Sequence, residues 1–553
     1  MKAFTEPLLS LAGFEEMTKT AEKSSGLISV TGCIDAQKSQ MIYAFGGHRK
    51  NKLIVTFGEQ KAKELYDEYS FFDKEVVYYP SKDVLFYQSD IRGNLLTAER
   101  IRALKAIHEQ ESVTLVTTFD ALMNTMAPIE KMWENVLTLE QGQLLDLKEI
   151  QAALIRMGYE KEYQVQTMGQ FSVRGGILDV FPLTEENPIR IELWGDEIDT
   201  IRYFDCESQK SIENTDRVSI YPAAELVLSD EEKAGGIEKL KAEAKRVSDK
   251  LRKQMKTEEA HRVTVMADEL TEEWGELSMY AGMDAFLSYF FDERVGLLDY
   301  FNPSDSLIFF DELTRCAEQG KLTETEFSES MKQRLAMGYI LPGQMNGLFT
   351  EKEIVAKLGK YSCIALAALD NKANGLHQLG SYGIHCQSVS PYNNSFELLI
   401  KDLKRYKKNG YRVILLSGSR TRAKRLSEDI TDQGITCFYT ENYDHELFEG
   451  QIMVCYGKVR RGFEYPILKF AVITESDIFG AQQKKKKRHR TYEGEKIQSF
   501  TDLSVGDYVV HENHGLGIYR GIEKLEVDKK VKDYIKIEYQ GGSNLYILAT
   551  QLD

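Results

Sequence analysis

The chain has little paired cysteine chemistry. Its seven cysteines (Cys33, Cys206, Cys316, Cys363, Cys386, Cys437 and Cys455) are scattered, with no C-x-x-C pair. That excludes the usual zinc-site and disulfide-framework spacings and points to a reducing cytosol, so a cytoplasmic location is expected. No stretch reaches the roughly 18 apolar residues that a membrane span needs. The N-terminus, M-K-A-F-T-E-P-L-L-S-L-A-G-F-E-E, has too short an apolar run for a signal peptide. Positive charge is in deficit: 70 Lys and Arg stand against 86 Asp and Glu, a net charge of −16. This disfavours a stand-alone DNA binder, although local basic patches could still touch phosphates. An intact G-x-x-x-x-G-K-[ST] phosphate loop occurs nowhere in the sequence.

What is present reads as several α/β units. Leu27–Thr31, Leu53–Phe57, Val76–Tyr79 and Val113–Thr117 are apolar runs of strand length, separated by helical stretches such as Glu59–Tyr69 and Leu96–Glu109. This alternation predicts a mostly parallel sheet. Period-2 runs at 171–182, 189–205 and 217–222, broken by Gly turns, predict an α+β insert. The expected organisation is an α/β domain split over 1–128 and 219–325, the insert at 129–218, and a second α/β domain of unknown role at 340–480. A basic linker at 481–500 and a small β-barrel at 501–553 complete it. In that last segment short alternating runs are broken by Gly and Asn turns, the pattern of a twisted antiparallel module that docks other macromolecules.

The segment S-V-T-G-C-I-D-A (29–36) follows a strand and precedes a helix, the position of a phosphate loop. Its key groups are missing. Ser29 and Ile34 stand where the two glycines belong around Gly32, Asp35 replaces the phosphate-binding lysine, and Ala36 replaces the magnesium-binding hydroxyl. Asp35 sets a negative charge where triphosphate would sit. Lys38 and Ser39 fall one helical turn too late to substitute. Asp311 and Glu312, at the end of the strand run 307–310, occupy the place of an acid pair that would hold magnesium. Two acids at a strand end can equally be solvated, but beside the altered loop they read as remnants of one nucleotide site. No catalytic residue and no metal ligand set is expected.

The order Val30-Thr31-Gly32, then Phe171–Pro182, then Leu297–Glu312 resembles the DNA damage-recognition protein UvrB. The final run, V-V-H-E-N-H-G-L-G-I-Y-R-G-I, is similar to CarD-type RNA polymerase-interacting modules. Together they resemble the N-terminal part of the bacterial transcription-repair coupling factor family (Mfd): a degenerate P-loop, UvrB-like α/β domain with an α+β insert, a second α/β domain, and a C-terminal CarD/Tudor-like barrel. The resemblance implies an adaptor, expected to be monomeric, that binds the RNA polymerase β subunit and recruits UvrA for transcription-coupled nucleotide excision repair. It also implies that ATP, Mg2+ and double-stranded DNA belong to a translocase motor of the full-length family, beyond Asp553, and that no cofactor binds in this chain. Without the family's C-terminal regulatory domain, constitutive UvrA binding is expected. The alternative is a UvrB-like or helicase-like ATPase acting on damaged DNA.

By the resemblance, Arg174, Arg190 and Trp194 match the insert surface that binds UvrA, where two guanidiniums around an exposed aromatic would suit an acidic partner. The simpler reading makes Arg174 a turn residue and Arg190 a solvated strand residue. Tyr519, Ile522, Lys524 and Leu525 match the polymerase-binding patch, with Leu525 the exposed leucine, although alternation with Glu523 also permits a core role. His511 and His514, spaced i, i+3 without cysteines, read as turn residues. The run 484–490, Arg460-Arg461-Gly462-Phe463 and Arg420–Arg425 could touch phosphates or be solvated.

Overall fold

The computed structural model describes residues 1–46, 49–82, 95–206, 208–276, 283–369, 375–480, 506–511, 515–527, 530–538 and 544–548. The chain divides into two units, 1–480 and 481–553. Together they make a multidomain α/β protein with several sheets.

The first sheet has seven parallel strands in the order Gln378–Gly383, Gly26–Thr31, Ser362–Leu366, Ser306–Asp311, Asn51–Thr56, Thr114–Thr118, Val77–Tyr79. Its central strands are apolar at almost every position because both faces are covered. The two-residue period sorts their side chains into two cores. Ile28, Val30, Ile54, Leu307, Phe309, Ile364 and Leu366 enter one core, and Leu27, Leu53, Val55, Ile308, Phe310, Cys363 and Ala365 enter the other. Each Val, Leu, Ile or Phe among them, fully buried, contributes roughly 1.5–3 kcal/mol.

The sequence placed 340–480 in a second α/β domain, and the sheet order corrects this. Ser362–Leu366 and Gln378–Gly383 flank Gly26–Thr31 in the first sheet. The second sheet begins only at Gln387–Ser388. It runs in the order Gln387–Ser388, Phe463–Tyr465, Phe470–Thr474, Arg412–Ser417, Ile452–Tyr456, Phe438–Tyr439. Its strands also alternate between two cores. Ile414, Leu416, Met453, Cys455, Phe470 and Val472 join the core that holds Ile28 and Phe309, while Val413, Leu415, Val454 and Ile473 face a core of their own. The two sheets therefore share one continuous apolar layer. Asp230–Lys253 and Thr257–Glu276 form a helical pair, the first started by a Ser229–Glu232 capping box, over a separate core around Leu240, Val263 and Trp274.

In the insert, five strands pair antiparallel in the order Ser211–Thr215, Glu197–Phe204, Ile189–Trp194, Ile177–Val180, Gln170–Arg174, and Glu160–Lys161 joins the edge in parallel. Phe171, Leu178, Val180, Ile189, Ile191 and Ile201 bury one face. The alternate positions Ser172, Arg174, Asp179, Arg190, Glu192 and Arg202 therefore share the other face. The predicted strand at 217–222 pairs elsewhere, as Arg217–Ile220 against Leu137–Glu140.

The terminal unit is an antiparallel meander of Tyr508–His511, Gly515–Val527, Lys530–Glu538 and Asn544–Leu548. Among the described residues it is a four-stranded sheet, and closure into the expected barrel is not part of it. The basic linker expected at 481–500 lies outside the described residues. Among the described residues, no helix is long and apolar enough to cross a membrane.

Candidate functional site

The position expected of a phosphate loop is a three-residue turn, Gly32-Cys33-Ile34, between Gly26–Thr31 and the helix Asp35–Phe45. Gly32 adopts φ +78°, and a Cβ there would lie 2.1 Å from the Ile384 carbonyl oxygen, so only glycine fits. Ile34 sits in extended backbone. The amides of Gly32 and Cys33, which would have to cradle phosphate, donate instead to the carbonyls of Ala368 (3.3 Å) and Ala367 (3.0 Å). Ser29 is buried and its hydroxyl accepts from the Gln378 amide at 2.9 Å.

Lys38 completes the closure. Its side chain is 1% exposed, and its ammonium contacts Asp311, Glu312 at 2.9 Å and Asp35 at 3.2 Å. Thr56 Oγ1 donates to the other Asp311 oxygen at 2.9 Å, and the Ala368 amide donates to Glu312 at 3.1 Å. Burial alone would lower the Lys38 pKa. The Asp311 charge and the hydrogen bonds to Asp311 and Glu312 outweigh it and hold the ammonium well above its usual range. By its spacing in the sequence, Lys38 falls a turn too late for phosphate. The structure brings it back, because one turn into the helix is where a lysine reaches the acid pair. Asp35 is mostly exposed and pairs also with Lys61 at 2.9 Å; these lysines outweigh its burial and lower its pKa. A nucleoside triphosphate with magnesium does not fit this set: the loop amides are spent, and a tethered cation already neutralises the acids. Among the described residues, no cluster of three or more His, Cys, Asp or Glu could hold a metal ion.

The insert surface is built differently. In register, Arg190 stands opposite Asp179, and Arg174 stands two residues along the neighbouring strand from Asp179's other partner, Ser172. Both guanidiniums converge on this one carboxylate. Arg190 Nε and Nη2 donate to its two oxygens at 2.7 and 2.9 Å, and Arg174 Nη2 donates to Oδ2 at 2.8 Å. Asp179 is 1% exposed. Arg190 also donates to Gln209 at 2.8 Å and lies 4.3 Å over the Phe204 ring. Its hydrogen bonds to Asp179 raise its pKa against a partial burial cost. Arg190 is thus neither solvated nor free for a partner; it is tied inward, and Arg174 is half-buried. Trp194, at the end of the same strand, is 84% exposed. The sequence held a signal for Asp179, a charged residue at a polar-face position of G-I-L-D-V-F, but not the strand register that sets it between the arginines.

In the terminal unit, Ile522, Lys524 and Leu525 lie on Gly515–Val527, opposite Ile535, Asp533 and Lys532. Tyr519 is buried with Val509 and Ile537. Its ring thus belongs to the interior of the sheet and does not front the patch expected of it. His511 ends a strand, while His514 and 484–490 lie outside the described residues. Several arginines expected at phosphates are paired within the fold: Arg420 with Glu441 at 3.4 Å, Arg422 with Glu475, and Arg460 with Glu64.

Residues 137–226 match the UvrB interaction domain, and residues 503–553 match the CarD-like/TRCF RID domain. The transcription-repair-coupling factor of Bacillus subtilis strain 168 is 30% identical over 503 residues, which cover 90% of this chain and 42% of that protein. The factor of Staphylococcus haemolyticus JCSC1435 is 29% identical over 538 residues, covering 95% and 44%. The factor of Staphylococcus aureus USA300 is 28% identical over 555 residues, covering 98% and 46%. The chain spans less than half the length of these curated relatives. With both domain matches in sequence order and similarity along nearly its whole length, the chain belongs to the transcription-repair-coupling factor family and corresponds to the N-terminal part of its members.

Proposed function

We propose that this chain is the adaptor part of a transcription-repair coupling factor. The insert recruits UvrA through the surface around exposed Trp194 and half-buried Arg174, with Arg190 bracing that surface from within the sheet. The terminal module holds the RNA polymerase β subunit through the strand that carries Ile522, Lys524 and Leu525. One observation carries the reading: a UvrB interaction domain (137–226) and a CarD-like/TRCF RID domain (503–553) lie in one chain whose nucleotide position is closed by its own lysine. ATP-driven movement on double-stranded DNA is, in this reading, work of the longer family members and not of the residues here.

Co-purification with UvrA and with RNA polymerase tests the two arms separately. Leu525→Arg should abolish polymerase retention, leave UvrA retention unchanged and leave the circular dichroism spectrum intact; unfolding of the terminal module by this change would assign Leu525 to the core instead. The competing reading, an ATPase, requires turnover above a buffer blank that Asp311→Ala removes. Millimolar ATP with magnesium should instead leave the melting temperature unshifted, because a ligand that does not bind the folded state contributes no linkage.

A further inference from the structure

The tip of the insert carries a feature that the paired arginines leave unexplained. Trp194 pairs with Glu197 across the turn Gly195-Asp196, and Glu197 forms an antiparallel bridge to Leu144 on its other side. Residues directly opposite one another in antiparallel pairs project to the same face, so Trp194, Glu197 and Leu144 form one cross-strand row. Both ends of the row are bare, Trp194 at 84% and Leu144 at 74% exposed. Beside the row lies a cavity of about 680 Å³, lined among others by Trp194, Glu140, Glu197, Asp199, Asp216 and Arg217. Arg217 pairs with Glu140 at 3.3 Å. Glu197, Asp199 and Asp216 are exposed and, among the described residues, have no cation within ion-pair distance.

An indole face beside uncompensated carboxylates is the chemistry that takes a cationic side chain, most favourably a guanidinium stacked on the ring. The same field repels phosphate, so nucleic acid is the wrong occupant. We propose that this depression seats a basic segment of a protein partner, with an arginine or lysine over Trp194 and Glu197, Asp199 and Asp216 around its charge. The inference rests on the reading that the insert recruits UvrA. It deepens that reading by assigning a cationic element to the partner at this point, where the sequence alone had suggested an acidic one.

The test uses the whole chain, its Glu197→Lys/Asp199→Lys variant and its Trp194→Ala variant. UvrA affinity is measured at low and at moderate salt. Charge reversal should weaken binding by about tenfold or more at low salt, with the difference shrinking as salt rises. If charge reversal leaves affinity within about twofold while Trp194→Ala abolishes binding, the UvrA reading stands and the cationic seat is overturned. If the native chain does not hold UvrA, the recruiting reading falls, and a second measurement decides the seat alone. An arginine-rich peptide should quench tryptophan emission saturably in the native chain and not in the charge-reversed variant. Trp194 is the exposed one of the three tryptophans, Trp133 and Trp274 being partly and fully buried. Equal quenching in both proteins, or none in the native chain, overturns the proposal.

Discussion

Lys38 and Arg190 both spend their charge on carboxylates, Lys38 on Asp311 and Glu312, Arg190 on Asp179. Around Lys38 the groups that would meet a nucleotide turn inward: the Gly32 and Cys33 amides, the Thr56 hydroxyl and the Asp311–Glu312 pair all find partners within the chain. Around Arg190 only the charges turn inward, and the same strand ends four residues later in a bare indole. The first arrangement fills a place where a ligand would sit. The second stiffens a sheet beneath a surface left exposed. A pair of opposite charges therefore says little about function until what remains exposed beside it is known. Buried ion pairs often contribute little net stability against a well-packed apolar substitute, yet removing one partner alone is costly.

That asymmetry gives the largest expected effect. Lys38→Met strands Asp311 and should cost about 3–5 kcal/mol in denaturant unfolding of the 1–480 unit. The double variant Lys38→Met/Asp311→Asn should recover part of this loss, since the two sites are in contact and cannot be additive. A loss under about 1 kcal/mol for the single change would make the first arrangement no tighter than a surface pair. Next, Asp179→Ala leaves two guanidiniums without their shared acceptor. A loss of roughly 2–3 kcal/mol is expected, with a drop in UvrA affinity larger than that of Arg174→Ala. Trp194→Ala should move stability by less than about 0.5 kcal/mol, as suits an exposed residue, while weakening UvrA binding by about 2 kcal/mol or more, as suits an anchor. The reverse pattern would exchange the roles of the two regions.

The smallest effect concerns Glu68, a buried acid with no ion-pair partner of its own among the described residues. Burial pushes its carboxyl up to about 7 against an ordinary 4.5, only partly offset by Lys61 and Arg460. Because the folded pKa lies above the unfolded one, this group's contribution is full below about 4.5 and is lost as pH rises through about 7. Glu68→Gln should therefore raise the melting temperature modestly above neutral pH and change it little below about pH 5. A variant that follows the native pH profile throughout would remove Glu68 from the account.

Much of the first sheet was legible because strand-length apolar runs between helices leave few alternatives. Asn51–Thr56 and Thr114–Thr118 fall within two residues of the expected runs. The sheet to which Ser362–Leu366 belongs was not legible. Its five buried residues would suit either sheet, and the choice depends on a crossover more than 300 residues from its neighbour Gly26–Thr31. Lys38 was missed for the same reason, since its partners lie 273 and 274 positions away. Arg174, Arg190 and Trp194 could be named from the sequence as candidates, but how the fold arranges them could not. Register ties the arginines to Asp179, and the hairpin turn sets the indole beside carboxylates.

The apolar layer shared by the two sheets carries a mechanical consequence. Phe4, Phe14, Met41 and Tyr69 from the intervening helices pack in it with Ile28 and Phe309 on one side and Met453 and Phe470 on the other. Among the described residues these side chains form one contiguous apolar cluster that spans both sheets. Heat or pulling should then release both sheets in a single cooperative step, and below that threshold the pair should transmit force like a solid strut.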